Sequence, residues 1–408
     1  MAAKCWRSKA LIPHRIYVLV LFQTRAYESG METKPLHLPT DPDAPLPDQA
    51  RKGRGAVSNR TNRYEKEVRI ATSDGWGDGL QEDDDLPPLR TTLLKDASRS
   101  IIARNTSPDV PFDQSINPYR GCEHGCVYCF ARPSHAWLGF SPGLDFETRL
   151  LFKPDAAKLL RRELSDPKYR CKLISIGTNT DPYQPAEKQM RITRSILRTL
   201  ADFRHPLGIV TKGHLITRDI DILKEMAQDG LVECFLSVTT LDAELARTME
   251  PRAATPKRRL DAIEALANAG IPVGVMTAPM IPGLNDHEME KILEEARRRG
   301  ARRAGYVVLR LPLEIKDLFR EWLEAHVPDR AARVMSLVRQ MRGGRDYDSE
   351  WGKRMQGEGP IAQLLGQRFD RACRQLGLNV ERFRLDTTKF QVPADAIAER
   401  NGGQLSLL

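Results

Sequence analysis

Three cysteines within eight residues constrain this chain more than any other feature: Cys122, Cys126 and Cys129, in the stretch NPYRGCEHGCVYCFARPSHAW from Asn117 to Trp137. A disulfide uses cysteines in pairs and needs an oxidising compartment, and a structural zinc takes four ligands, usually from two knuckles. A zinc knuckle here needs His124 or His135 as fourth ligand, and Cys122, His124, Cys126 and Cys129 crowd one another as a tetrahedral set. An iron–sulfur cluster is the better fit, because thiolates suit iron and a compact loop can wrap one face of a four-iron cube. Three thiolates leave one iron open.

The open iron gives the spacing its chemistry. A four-iron cluster with a free corner can bind the amino and carboxylate groups of S-adenosylmethionine (SAM), pass an electron to the sulfonium and release a 5′-deoxyadenosyl radical. CxxxCxxC with an aromatic residue, Tyr128, just before the last cysteine resembles the radical SAM superfamily. That resemblance implies a 4Fe–4S cluster on Cys122, Cys126 and Cys129, SAM as second cofactor, and flavodoxin or ferredoxin as reductant.

Beyond this loop, strand and helix patterns alternate. The first strand is expected around Ile116 to Tyr119, and the next at Leu173–Ile176, Leu207–Val210, Leu231–Val238, Val273–Met276 and Tyr306–Leu309. Helical stripes lie between them: Pro154–Leu164, Met190–Phe203, a helix capped by Thr217 and stopped by Gly230, one opened by Thr255 and Pro256, and one opened by Asn285–Glu288. Six such units predict an α/β fold, a partial (β/α)6 TIM-like barrel with a gap on one side and ligands at the carboxyl ends of the strands. Leu313–Gln340 reads as helical and is expected to plug the gap, and Ile361–Leu376 as a further amphipathic helix.

The strand ends suit a zwitterionic nucleoside. The second runs into Thr178, Asn179, Thr180 and Asp181, the third into Lys212, and the fourth carries Ser237. Lys212 suits the methionine carboxylate, Thr178 to Thr180 the amino group and Ser237 the ribose hydroxyls. The cysteine stretch together with SPGLDFETRL, TNTDPYQPAE and MEPRAATPKRRLDAIEALANAGIPVGVM resembles the spore photoproduct lyase-like branch, over roughly Arg99 to Leu313. This narrower resemblance implies SAM contacts through Tyr128, Lys212 and Ser237, the TDPYQPAE loop in place of a glycine-rich amino-group clamp, and Arg252 near the SAM carboxylate. It implies a nucleic acid or nucleotide-derived substrate. Spore photoproduct lyases proper carry a hydrogen-donating cysteine at the end of the second strand. Gly177 and Thr178 occupy that place here, and Cys171 lies at the strand's beginning, which tells against repair of the thymine dimer itself. Cys171 and Cys234 read as small buried hydrophobes.

The flanks are expected to be less regular. Residues 1–88 are rich in Pro, Gly and charge without periodicity and are expected to be disordered. Within them, Ile16–Phe22 is too short to span a bilayer, Met31 reads as a natural beginning, and Arg51–Arg63 is a basic tract able to lie along phosphates. The domains expected are this segment, a core barrel over 89–312, a helical extension over 313–398 and a tail over 399–408. Arg342–Pro360 mixes glycine, arginine and aromatic residues in a pattern that can track phosphates and stack bases. Gln404 to Leu408 resembles the peptide with which bacterial DNA enzymes hook the sliding clamp, with Leu408 where phenylalanine is usual. The excess of 63 Lys+Arg over 54 Asp+Glu, +9 in all, favours a polyanionic partner such as DNA. The scattered cysteines point to a reducing cytoplasm. Two other readings stay open: radical modification of a peptide or metabolite, and a zinc-stabilised nucleic-acid-binding module without turnover.

Overall fold

The computed structural model describes residues 48–68, 89–381 and 384–400. Its centre is a sheet of six parallel strands, β1 (Gln114–Ile116), β2 (Ile174–Ile176), β3 (Leu207–Thr211), β4 (Val232–Ser237), β5 (Val273–Met280) and β6 (Arg303–Val308), paired in sequence order. Parallel pairing is seen in the registers Ser115↔Ser175, Ile176↔Ile209, Ile209↔Cys234, Leu236↔Val275 and Val275↔Ala304. Ile102–Arg104 adds an antiparallel edge beside β1. Ile174, Ile176, Val232, Cys234 and Leu236 are fully buried, as strands covered on both faces require.

Helices α1 (Ala156–Leu164), α2 (Ile192–Asp202), α3 (Ile220–Gln228), α4 (Pro256–Asn268) and α5 (Met289–Arg298) connect the strands. Their inward stripes, such as Ile196, Leu197 and Leu200 on α2 and Ile292, Leu293 and Ala296 on α5, join one core with the strands. Thr255 accepts from Arg258 N at 3.4 Å as the N-cap of α4, with Pro256 behind it. Two caps differ from expectation. A 3-10 turn, His214–Asp219, precedes α3, and Thr217 bonds back to His214 O at 3.0 Å instead of capping. Asn285 is spent on the rim: its Nδ2 donates to Thr239 O and Pro279 O, and its Oδ1 accepts from Ile281 N at 2.7 Å.

The first strand ends earlier than expected. Tyr119–Arg120 belongs to a second small sheet, antiparallel to Arg149–Phe152, which pairs parallel with Thr92–Lys95. The fifth strand is longer, running on to Met280 through its pairing with β6.

Helices α6 (Ile315–His326) and α7 (Pro328–Gln340) seat Phe319, Trp322, Val334 and Val338 against Val127, Tyr128, Met249, Ile281 and Leu284. They cover the cysteine-loop side of the rim. The span between the two sheet edges is crossed instead by the glycine-rich loop that follows: Val308 N donates to Met355 O at 2.9 Å, while Gly352 N donates to Asp109 and Arg354 pairs with Asp109 and Ser107. Those contacts occupy Arg354, one of the arginines expected to track phosphates. Helix α8 (Gly359–Leu376) packs Leu365 and Phe369 into the barrel core, and α9 (Ala394–Arg400) lies against α1 through Asp395 and Glu399 on Arg161.

Residues 48–68 depart most from expectation. Arg54, Ala56, Val57, Ser58 and Asn62 are buried, so this part of the amino-terminal segment is a strap laid on the barrel. Residues 1–47, with Ile16–Phe22 and Met31, and the peptide Gln404 to Leu408 lie outside the described residues. Among the described residues no helix is long and apolar enough to cross a membrane.

Candidate active site

The cysteine loop leaves the carboxyl end of β1 and turns back twice, at Gly121 (φ 78°) and Gly125 (φ 68°). A side chain at either would collide, the first with Phe146 O at 2.9 Å and the second with Glu147 Oε2 at 2.7 Å. Short bonds close the loop on itself, from Cys129 N to Cys126 O at 3.2 Å and from Arg132 N to Cys129 O at 3.2 Å.

Two braces hold it. In the first, Arg132, fully buried, gathers the carbonyls of Gly125, Cys126, Pro142 and Gly143 at 2.9–3.1 Å and pairs with Glu147 at 2.5 Å. Glu147 also accepts from Gly55 N at 3.0 Å and Ala56 N at 2.8 Å, tying the strap to the loop. In the second, the segment after β2 reaches across: Thr180 donates to Gly121 O at 2.7 Å, Glu123 N donates to Gln184 at 2.8 Å, and His124 lies 3.3 Å from Asp181. Burial works to raise the Asp181 pKa, but His124, the Thr211 hydroxyl and the Lys212 N–H outweigh it and hold the carboxyl at about 2.

Cys122, Cys126 and Cys129 are free thiols. Burial pushes all three up; Cys122 stands in the field of Cys126 and Cys129, and Lys212 opposes the rise at Cys126 and Cys129. Three thiols of one loop, Cys122 and Cys126 buried and Cys129 partly so, form a donor set that ionises when a cationic metal core compensates the charge. The two histidines a zinc knuckle would use are engaged elsewhere: His124 by Asp181, and His135 Nε2 by Arg149 O at 2.9 Å. A cube is wider than a single ion, so its thiolates stand further apart than a zinc tetrahedron permits.

Beside the thiols lies a second centre that the sequence did not reveal. Glu250, 2% exposed, accepts from the Tyr128 hydroxyl, from Thr239 Oγ1 at 2.7 Å and from Arg259, and Lys212 Nζ lies 3.9 Å away. Burial raises its pKa against the pull of Arg259. Arg259 also donates to Ser237 O at 3.1 Å, and Lys212 Nζ stands 5.6 Å over the Tyr128 ring. Tyr128 and Lys212 thus converge on one buried carboxylate, and Ser237 is linked to it only through its backbone carbonyl on Arg259. The other expected contacts are dispersed. Thr178 and Asn179 bond Asn117, Asn179 is exposed, and the Arg252 guanidinium pairs with Glu123 at 3.1 Å. Glu187 of the TDPYQPAE stretch is buried among Tyr119, Thr193 N and Arg218, away from the rim. Glu147 and Arg132 were also missed, and Gln184 was expected on the rim within the TDPYQPAE stretch but without its role as a brace. Their one sequence signal is acidic, basic and amide residues inside stretches already notable for other reasons. Cys234 is buried inside β4, whereas Cys171 is half-buried ahead of β2.

A family model of the Radical SAM superfamily matches residues 116–296. An uncharacterized protein of Mycobacterium tuberculosis (strain ATCC 25618 / H37Rv) is 39% identical over 232 residues, 56% of this chain and 68% of that one. Another, of Methanocaldococcus jannaschii, is 30% identical over 173 residues, 42% of this chain and 62% of that one. This chain belongs to the radical SAM superfamily. It is an enzyme of that class, and membership brings a 4Fe–4S cluster and SAM as cofactors and the need for a reductant. Among solved structures, spore photoproduct lyase complexed with dinucleoside spore photoproduct superposes with a TM-score of 0.48 at 14% identity, over 70% of this chain and 80% of that one. Streptococcus suis SuiB bound to S-adenosylmethionine gives 0.38 at 13%, over 65% and 48%.

Proposed function

We propose that Cys122, Cys126 and Cys129 hold the 4Fe–4S cluster, that SAM lies over its open corner against Tyr128, Lys212 and Ser237, and that the substrate is a nucleic acid or a nucleotide-derived lesion. Held by Cys122, Cys126 and Cys129, the cluster would supply one-electron reductive cleavage of SAM and, through it, hydrogen abstraction from the substrate. The chain's own residues prepare that event. Lys212 is a cation placed beside the cysteine loop to meet a carboxylate, and Glu250 lies against both it and the Tyr128 hydroxyl. Arg132 and Glu147 fix the loop from behind, and Thr180, Asp181 and Gln184 from the side. Flavodoxin or ferredoxin is the reductant.

The observation that carries this reading is the placement of Cys122, Cys126 and Cys129 in one loop after β1, with Lys212 Nζ 5.6 Å over the ring of Tyr128, the residue before Cys129. The net charge of +9 supports a polyanionic substrate. β2 is followed by Gly177 and Thr178 and not by a thiol, and Cys171 lies before its first residue, which supports a reaction other than thymine-dimer repair. The test is anaerobic reconstitution with dithionite and SAM, measuring 5′-deoxyadenosine with single-stranded DNA, duplex DNA or a mixed peptide pool. The reading predicts stimulation by a nucleic acid; stimulation by peptides alone would overturn its substrate half.

A further inference from the structure

Three of the four large aromatic side chains exposed among the described residues gather beside the cysteine loop: Trp137 at 73%, Tyr64 at 54% and Phe130 at 45%. Isolated exposed apolar residues are ordinary, but a group of rings at the edge of a site is not. Phe130 directly follows Cys129, Trp137 is the penultimate residue of the 3-10 turn Arg132–Leu138, and Tyr64 comes from the strap, its ring centroid 5.3 Å from that of Trp137.

The group is held from behind by arginines. Arg63 lies 4.6 Å over the Tyr64 ring and joins three segments, pairing with Glu314 at 2.6 Å and reaching Pro133 O at 3.4 Å. Arg310 lies 4.8 Å over the Phe130 ring. A guanidinium on one face fixes each of these two rings; the charge of Arg63 is balanced by Glu314, and Arg310 lends positive charge beside Phe130.

We infer that Trp137 and Tyr64, with Phe130 nearest the cysteine loop, form a stacking shelf for unpaired bases of a nucleic acid. The inference rests on the nucleic-acid reading above and names where the substrate is held. Rings fixed before binding have little conformational entropy left to lose, so stacking there is efficient. Paired bases hide their faces inside the duplex, so such a shelf selects single strands or extruded bases. The Arg310 guanidinium backing Phe130 favours a polyanion over an uncharged aromatic ligand. A base on Phe130 would lie next to the loop that carries the thiols, where a short-lived radical must meet its target.

The test uses the full-length reconstituted enzyme and fluorescence anisotropy with a labelled single strand of mixed sequence, the matching duplex and an acidic, aromatic-rich peptide. The single strand should bind tighter than the duplex. Trp137→Ala should weaken it by about ten-fold, the loss of one base–aromatic stack, and Trp137→Phe should restore most of the affinity. Iron content and SAM cleavage without substrate should be unchanged, because Trp137 is largely in solvent. Equal affinities of wild type and Trp137→Ala for the strand would refute the shelf while leaving the nucleic-acid reading standing. No binding of either DNA by wild type would remove both, and tight, Trp137-dependent binding of the peptide would replace the proposed occupant.

Discussion

Replacing Glu147 by glutamine should cost the fold about 3–5 kcal/mol and loosen the cysteine loop. Glu147 is fully buried and is the carboxylate paired with the equally buried Arg132. Removing the charge leaves a guanidinium in the interior facing only carbonyls, and breaking a buried pair on one side typically costs about 3–5 kcal/mol. Glutamine keeps one acceptor for the Gly55 and Ala56 amides but turns an N–H donor toward Arg132 or the strap. At about 2.1 cal/mol/K per residue, the unit running from Pro45 to Leu408 unfolds with an entropy of about 0.8 kcal/mol/K, so the melting temperature should fall by about 4–6 °C. Scanning calorimetry under argon measures this, and iron analysis after reconstitution should show a partial loss. Gly55→Ala approaches the same contact from the strap, since its Cβ would lie 1.8 Å from Gly125 O. A melting temperature within about 1 °C of wild type and full iron content in both variants would refute the claim that strap and loop are one structure.

Glu250→Gln should leave iron content intact while weakening SAM binding by about ten-fold, because the Tyr128 ring and Lys212 lose their shared anchor; equilibrium binding to the reconstituted enzyme decides, and unchanged affinity would show that Glu250 serves the fold alone. Stability should also fall with acid through His205. Its buried ring bonds Tyr169 and Pro206 O, and burial pushes its pKa down to about 4. A histidine depressed in the folded state gives its full contribution above the unfolded value of about 6.5 and loses it as pH falls toward about 4, a gap worth about 3 kcal/mol. Melting curves from pH 7 to pH 4.5 should therefore drop more steeply for wild type than for His205→Gln; parallel slopes would contradict this assignment.

Much of the barrel was legible because its strands are short apolar runs ended by Gly or polar residues, and the cysteine triplet has few chemical uses. The strap was not, because its order is tertiary: Gly55 and Ala56 bond Glu147, about ninety positions away, and no local period announces that. Tyr119 continues the apolar run of β1 in sequence, yet Asn117 and Pro118 separate it into another sheet. Glu250 escaped notice for a different reason. In sequence it is one acid beside Pro251 and Arg252, and only the fold buries it between Tyr128, Thr239 and Arg259. The TDPYQPAE stretch was rightly placed after β2, but Thr180, Asp181 and Gln184 spend their side chains bracing the loop.

The most direct test of the central claim is reconstitution of the wild-type chain and a Cys122→Ala, Cys126→Ala, Cys129→Ala variant under argon, followed by iron and sulfide analysis and assay of 5′-deoxyadenosine with SAM and dithionite. Wild type should hold about four irons and four sulfides per chain and release 5′-deoxyadenosine, while the variant should do neither. Equal iron binding and equal product from the two proteins would contradict the account.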